Sequence, residues 1–192
     1  MSASLGGVGE EGKKKLLAQG YHEIGMDHFA LESDGMYQSF QAGTLHRNFM
    51  GYTASKTKVM IGLGISSISD SWYSFAQNEK KLEDYYARLE NNELPVYRGH
   101  ILSAEDLMIR RHILNLMCSF QTSWADPSMQ FPELAEVLGQ LEEMRDDGLL
   151  EIGPQSLRVT EQGKAFVRNI CMAFDLHLKR RRPESRIFSM TI

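Results

Sequence analysis

The chain has 192 residues, 21 Lys and Arg against 25 Asp and Glu, 42% hydrophobic and 24% charged side chains, and a formal net charge of −4. This composition excludes a disordered or collagen-like chain and allows one large domain or two small ones, each able to fold without disulfide staples. Cys118 and Cys171 are too few for a disulfide framework or a structural zinc site and form no C-x-x-C, so a reducing, cytoplasmic setting is expected.

The acidic balance gives no global attraction to nucleic acid or anionic lipid, which leaves only the local basic run Lys179 to Arg182. The longest apolar run, Val59 to Ile65, is far short of a membrane span, and the opening residues lack an apolar signal core. No membrane partner or targeting segment is expected.

Residues up to about Glu11 are rich in Gly and Ser and predict a flexible end, followed by a short helix from Lys13 to Gln19 stopped by Gly20. Tyr21 to Met26 predicts a strand, Asp34 to Gln41 a short helix closed by Gly43, and Leu45 to Tyr52 extended chain. Val59 to Ser69 is the strongest strand prediction: its apolar first half suggests burial on both faces, and its small polar second half suggests the mouth of a parallel sheet. Leu82, Tyr85, Tyr86 and Leu89 then follow helical spacing within Asn78 to Asn91, and a domain boundary is placed at about Gly99.

Beyond that boundary, Ser103 with Asp106 three positions on opens a helix to about Cys118. Phe131-Pro132-Glu133 opens a second, running to Asp147 and stopped by Gly148. Leu149 to Val159 predicts a β-hairpin, and Thr160 caps a last helix with the stripe Val167, Ile170, Cys171, Phe174 and Leu178. Helix, helix, hairpin, helix is the order of a winged-helix domain.

Gly62-x-Gly64 lacks the third glycine of a dinucleotide-binding turn, so close packing of a strand is the better reading. His22, His28 and His46 have no recognised metal spacing; structural histidines are expected, with no metal site. The helix before the hairpin carries six acidic side chains from Glu133 to Asp147 against Arg145, which disfavours entry into a DNA groove. Neither cysteine has the Gly-rich turn or adjacent His of an activated nucleophile, and core packing is expected for both.

Gly25 to Ala30, Leu45 to Phe49 with Gly51-Tyr52-Thr53, Gly62 to Ser66 with Ile68-Ser69, Tyr73 with Ala76-Gln77-Asn78, and Arg168 to Met172 with Phe174-Asp175 form ordered blocks. In this order they resemble the oxygen-independent coproporphyrinogen III oxidase (dehydrogenase) family, radical S-adenosylmethionine enzymes of heme biosynthesis. The resemblance runs from about Gly20 to the C-terminus.

The family's C-x-x-x-C-x-x-C motif, which holds a [4Fe-4S] cluster, and the glycine-rich segments of its early barrel strands are absent. The chain therefore resembles the C-terminal half of such an enzyme. The implied fold is α+β: a flexible N-terminus and short helix over 1–19, the last strands of a partial βα barrel over 20–99, and a helical, winged-helix-like domain over 100–192. For the complete enzyme the resemblance implies a 5′-deoxyadenosyl radical that abstracts hydrogen from a propionate β-carbon. Loss of carbon dioxide and one electron then leaves a vinyl group, and in this way two propionates of coproporphyrinogen III become the vinyl groups of protoporphyrinogen IX.

The resemblance places Ile68 against S-adenosylmethionine, and Asp27, His28, His46, Arg47 and Tyr52 in a wall of the substrate cavity, with Arg47 available to a carboxylate. The chain by itself is expected to be inactive and monomeric. A stand-alone module binding heme, another tetrapyrrole or nucleic acid is the competing expectation.

Overall fold

The computed structural model describes residues 5–181 and the side chains of residues 11–180. Helix α1 spans Leu5–Ala18, earlier than the expected start at Lys13; Gly6, Gly7 and Gly9 concealed it, because glycine is a poor helix former. Lys13 pairs with Glu23 at 2.6 Å and ties α1 to strand β1, Tyr21–Gly25. Strand β2, His28–Leu31, closes a hairpin on β1 through a turn in which Met26 has φ 55°.

Helix α2, Gly35–Gln41, is capped by Asp34, whose carboxylate accepts from the Met36 amide at 2.7 Å. Strands β3, His46–Asn48, and β4, Gly51–Thr53, form the second hairpin within the segment expected to be extended.

The predicted strand Val59 to Ser69 is largely irregular. Only Met60 bridges to Asp70, and strand β5 is confined to Ile68–Asp70. Val59, Ile61 and Leu63 are 60%, 74% and 86% exposed. Gly64 at φ 92° turns the chain out of extended geometry, so the apolar run is a loop over the sheet instead of a doubly buried strand. Strands β6, Ser74–Asn78, and β7, Val96–Ile101, flank helix α3, Leu82–Glu90, and complete the sheet order β5-β6-β7. All strand pairings among the described residues are antiparallel, so the expected parallel mouth is corrected.

Helix α4, Ala104–Ser119, opens with the full capping box of Ser103 and Asp106. After strand β8, Gln121–Ser123, the predicted second helix is split into α5, Leu134–Gly139, and α6, Glu142–Asp146. Strands β9, Leu150–Ile152, and β10, Ser156–Val159, form the expected hairpin and recruit β8 in the order β8-β10-β9.

Thr160 caps a 3₁₀ turn over Gln162–Phe166, not a regular helix. At Gly163 the Leu149 carbonyl lies where a β-carbon would stand, so only glycine lets this turn pack against the residue that leads into the hairpin. Helices α7, Val167–Ala173, and α8, Leu176–Arg181, end the described chain.

One core crosses the boundary proposed at Gly99: Ile24, Leu45 and Tyr52 join Leu116, Leu141, Leu157, Ile170 and Phe174. At its centre His112 is fully buried, stacked on Phe174 at 5.3 Å and edge-on to Phe131 at 5.7 Å. The Met129 carbonyl at 2.8 Å can only accept, so Nε2 carries the proton and Nδ1 accepts from the Thr122 hydroxyl, also at 2.8 Å.

Burial holds the His112 pKa below its ordinary value of 6.5, against the opposing Met129 bond. Its contribution to stability is therefore present above pH 6.5 and lost as the pH falls toward the folded value. Urea midpoints of the native chain should decline below pH 6.5, and His112→Gln should flatten that decline; an unchanged slope would assign the proton uptake to other groups.

Candidate functional site

Ile68 is placed by backbone contacts. A β-carbon at Gly62 would stand 2.8 Å from the Ile68 carbonyl oxygen and 3.0 Å from its amide nitrogen, so only glycine lets the loop lie against β5. Buried Asn78 fastens that loop: its amide Nδ2 reaches the carbonyls of Gly62 at 3.2 Å and Gly64 at 2.9 Å and the Ser67 hydroxyl at 3.0 Å. Ile68 pairs with Gln77 on β6 and lines a cavity of about 440 Å³ with Phe49, Phe75, Arg98, His100 and His177.

Arg47 and His46 point to opposite faces of β3, as strand geometry requires. The Arg47 guanidinium lies 4.7 Å above the Tyr52 ring, and the His28 ring meets the same tyrosine edge-on at 5.0 Å. The structure thus unites His28, Arg47 and Tyr52, with Asp27 Oδ1 2.9 Å from His28 Nδ1, an ion-pair distance without hydrogen-bond geometry.

Tyr52 belongs to the core. Its hydroxyl donates to the Met117 carbonyl at 2.8 Å, and burial pushes its pKa up to about 12, so it supports Arg47 from below. One terminal guanidinium nitrogen of Arg47 is buried and has no hydrogen-bond partner among the described residues.

Arg47 opens on a cavity of about 430 Å³ that also contains Asp70, Arg110, Arg168 and Asp175. Arg110 is already committed to Asp70, at 2.5 and 3.0 Å. The Arg47 and Ile68 cavities share Phe49 and Phe75, whose rings meet edge-on at 5.0 Å. Phe49 was not singled out from sequence; its place two residues from Arg47 on an extended segment was the available signal.

His46 faces elsewhere, into a cavity of about 700 Å³ between β3 and α4. Lys56, Lys58 and Arg111 line it beside Leu45, Val59, Trp72 and Leu114. Burial, and then Arg110 and Lys56, hold His46 below its ordinary pKa.

Cys118 lines the same cavity, while Cys171 is buried in the core. Burial pushes their thiols up to about 11 and about 12, so neither offers a ready thiolate. Two such thiols do not fit a cluster that needs three thiolates.

The basic C-terminal run is partly neutralised. Lys179 meets Glu136 at 2.7 Å, and Arg180 bridges Glu105 and Glu133, each at 2.6 Å. The Arg181 side chain and Arg182 lie outside the described residues. No helix among the described residues is long and apolar enough to cross a membrane.

The family described as HemN C-terminal domain matches residues 102–166. The oxygen-independent coproporphyrinogen III oxidase of Escherichia coli is 36% identical over 171 residues, covering 86% of this chain and 37% of the relative. That of Thermostichus vulcanus is 37% identical over 185 residues, covering 93% of this chain and 56% of the relative. The solved structure of the Escherichia coli oxidase, a radical SAM enzyme, superposes with a TM-score of 0.81 at 35% identity, covering 88% of this chain and 40% of that one.

The chain resembles the C-terminal part of this oxidase. It spans 37% of the length of the Escherichia coli and Pseudomonas aeruginosa oxidases.

The loop against Ile68 yields a direct test. Gly62→Ala must displace β5 or the loop, a steric conflict costing about 1–3 kcal/mol by denaturant unfolding, whereas Gly12→Ala, in open space on α1, should not destabilise the chain.

Proposed function

We propose that this chain is the C-terminal portion of an oxygen-independent coproporphyrinogen III oxidase and supplies part of its substrate wall and its S-adenosylmethionine contact. The reaction proposed for the complete enzyme is oxidative decarboxylation of two propionates of coproporphyrinogen III to the vinyls of protoporphyrinogen IX. Residues 20–99, whose strands all pair antiparallel among the described residues, would adjoin the βα barrel of the complete enzyme and are not parallel strands of it. A winged-helix-like unit would begin with α4, since β7 continues through Gly99 to Ile101 and the family match starts at 102.

The observation that carries this reading is the buried Arg47 guanidinium nitrogen, which has no hydrogen-bond partner among the described residues and lies beside a cavity that also contains Arg168. A propionate carboxylate would supply the missing acceptors in a charge-assisted pair. Ile68, on the far side of Phe49 and Phe75, would offer S-adenosylmethionine an apolar contact, and the exposed Val59, Ile61 and Leu63 would be covered in the complete enzyme. The cluster ligands do not come from this chain, so we assign it no step in radical formation.

Anaerobic equilibrium dialysis tests the carboxylate role. Arg47→Ala should weaken coproporphyrinogen III binding about tenfold or more, the effect of losing a hydrogen bond to a charged group, with Arg47→Lys recovering part of it. Unchanged affinity in Arg47→Ala would remove the assignment. Reconstitution of the chain with iron and sulfide should leave it without a stoichiometric [4Fe-4S] cluster, as read by electron paramagnetic resonance after reduction.

A second reading, a stand-alone tetrapyrrole-binding module, draws on the 700 Å³ cavity, where Lys56, Lys58 and Arg111 accompany an apolar wall. Heme titration with quenching of Trp72 fluorescence, abolished by Lys56→Glu while porphyrinogen still binds through Arg47, would favour it.

A further inference from the structure

We propose that His100, Asp106 and His177 form a binding site for one divalent first-row transition-metal ion, of the zinc or cobalt kind. The residues come from β7, the first turn of α4, and α8, and their separation along the chain explains why no histidine spacing disclosed them. Both imidazoles direct Nε2 at the same carboxylate: His177 Nε2 is 2.6 Å from Asp106 Oδ1, and His100 Nε2 is 3.3 Å from Oδ2. The potential donor atoms all lie within 4.8 Å of one another, the convergence required of groups that share an ion.

The donor set has the required chemistry. Two neutral imidazole nitrogens and a carboxylate oxygen suit zinc and its neighbours, whereas calcium and magnesium prefer all-oxygen sites. An aspartate carboxylate is ionised at neutral pH and offers an anionic oxygen.

The Ser103 amide and hydroxyl bond to Asp106 Oδ2 at 2.8 and 2.9 Å, fixing the carboxylate as a second shell fixes a metal ligand. Among the described residues Oδ1 accepts only from His177. On binding, His177 takes the tautomer with its proton on Nδ1, exchanged through solvent, so that the Nε2 lone pair of a neutral imidazole faces the ion. Nitrogen and oxygen then separate to the roughly 3.3 Å spanned by two ligands about 2.1 Å from a tetrahedral centre.

Both histidines are half exposed, so water can complete the coordination. His100 and His177 also line the cavity that contains Ile68, so a ligand entering it could reach the ion. The metal site stands whether or not Ile68 contacts S-adenosylmethionine.

The test uses the full chain without an affinity tag, stripped with chelator and titrated with Co²⁺ by visible absorption and with Zn²⁺ by calorimetry. The expected result is one equivalent of each ion, with cobalt d–d bands of a four- or five-coordinate site that zinc displaces. His100→Ala and His177→Ala, both at half-exposed positions, should each weaken binding about tenfold or more, while His22→Ala should leave it intact.

Circular dichroism of each variant separates ligand loss from unfolding. No saturable uptake, or uptake unchanged by either substitution in a folded chain, would overturn the site and leave the trio as a hydrogen-bonded clasp between α8, α4 and β7.

Discussion

The buried pair of Arg110 and Asp70 joins the two halves of the molecule. The guanidinium grips both carboxylate oxygens, donates a further bond to the Trp72 carbonyl at 3.0 Å, and lies over the Trp72 and Phe75 rings at 4.4 and 5.0 Å. Asp70 is also held by the Trp72 amide at 2.8 Å. A buried ion pair stabilises only when its remaining hydrogen-bonding capacity is used, and here protein groups use most of it. Through this contact β5, with Ile68 at its start, is registered against α4, which in turn carries Asp106, His112 and the Met117 carbonyl under Tyr52.

The same pair divides the functional surface. Arg110 and Asp70 neutralise each other at one wall of the Arg47 cavity, leaving Arg47 and Arg168 as its other cationic side chains beside Asp175. Phe49 and Phe75 then separate a basic compartment from the compartment of Ile68, His100 and His177.

Local chemistry made much of the C-terminal region legible. Ser103 with Asp106, the hairpin around Gly153-Pro154, and the stripe of Val167, Ile170 and Phe174 each depend on residues close in sequence, and each was found where expected. Val59 to Ser69 misled because an apolar run looks the same whether it is a buried strand or a loop over a sheet; Gly62 and Gly64 decided for the loop. His112 escaped because a histidine inside a helix gives no sign that Thr122 and Met129 will complete its hydrogen bonds. Of the candidate site, the hairpins brought His28, Arg47 and Tyr52 together as a group, but strand alternation sent His46 to another cavity.

The contact between Gly62 and the backbone of Ile68 separates the position of a wall from its chemistry. Because Ile68 is located by the glycine, by Asn78 and by its pairing with Gln77, its side chain is not what holds β5 in place. Position 68 is consequently open to redesign: a different side chain would alter the polarity and shape of the cavity on an undisplaced backbone. Position 62 has no such freedom, since any larger residue there moves the strand before it changes the pocket.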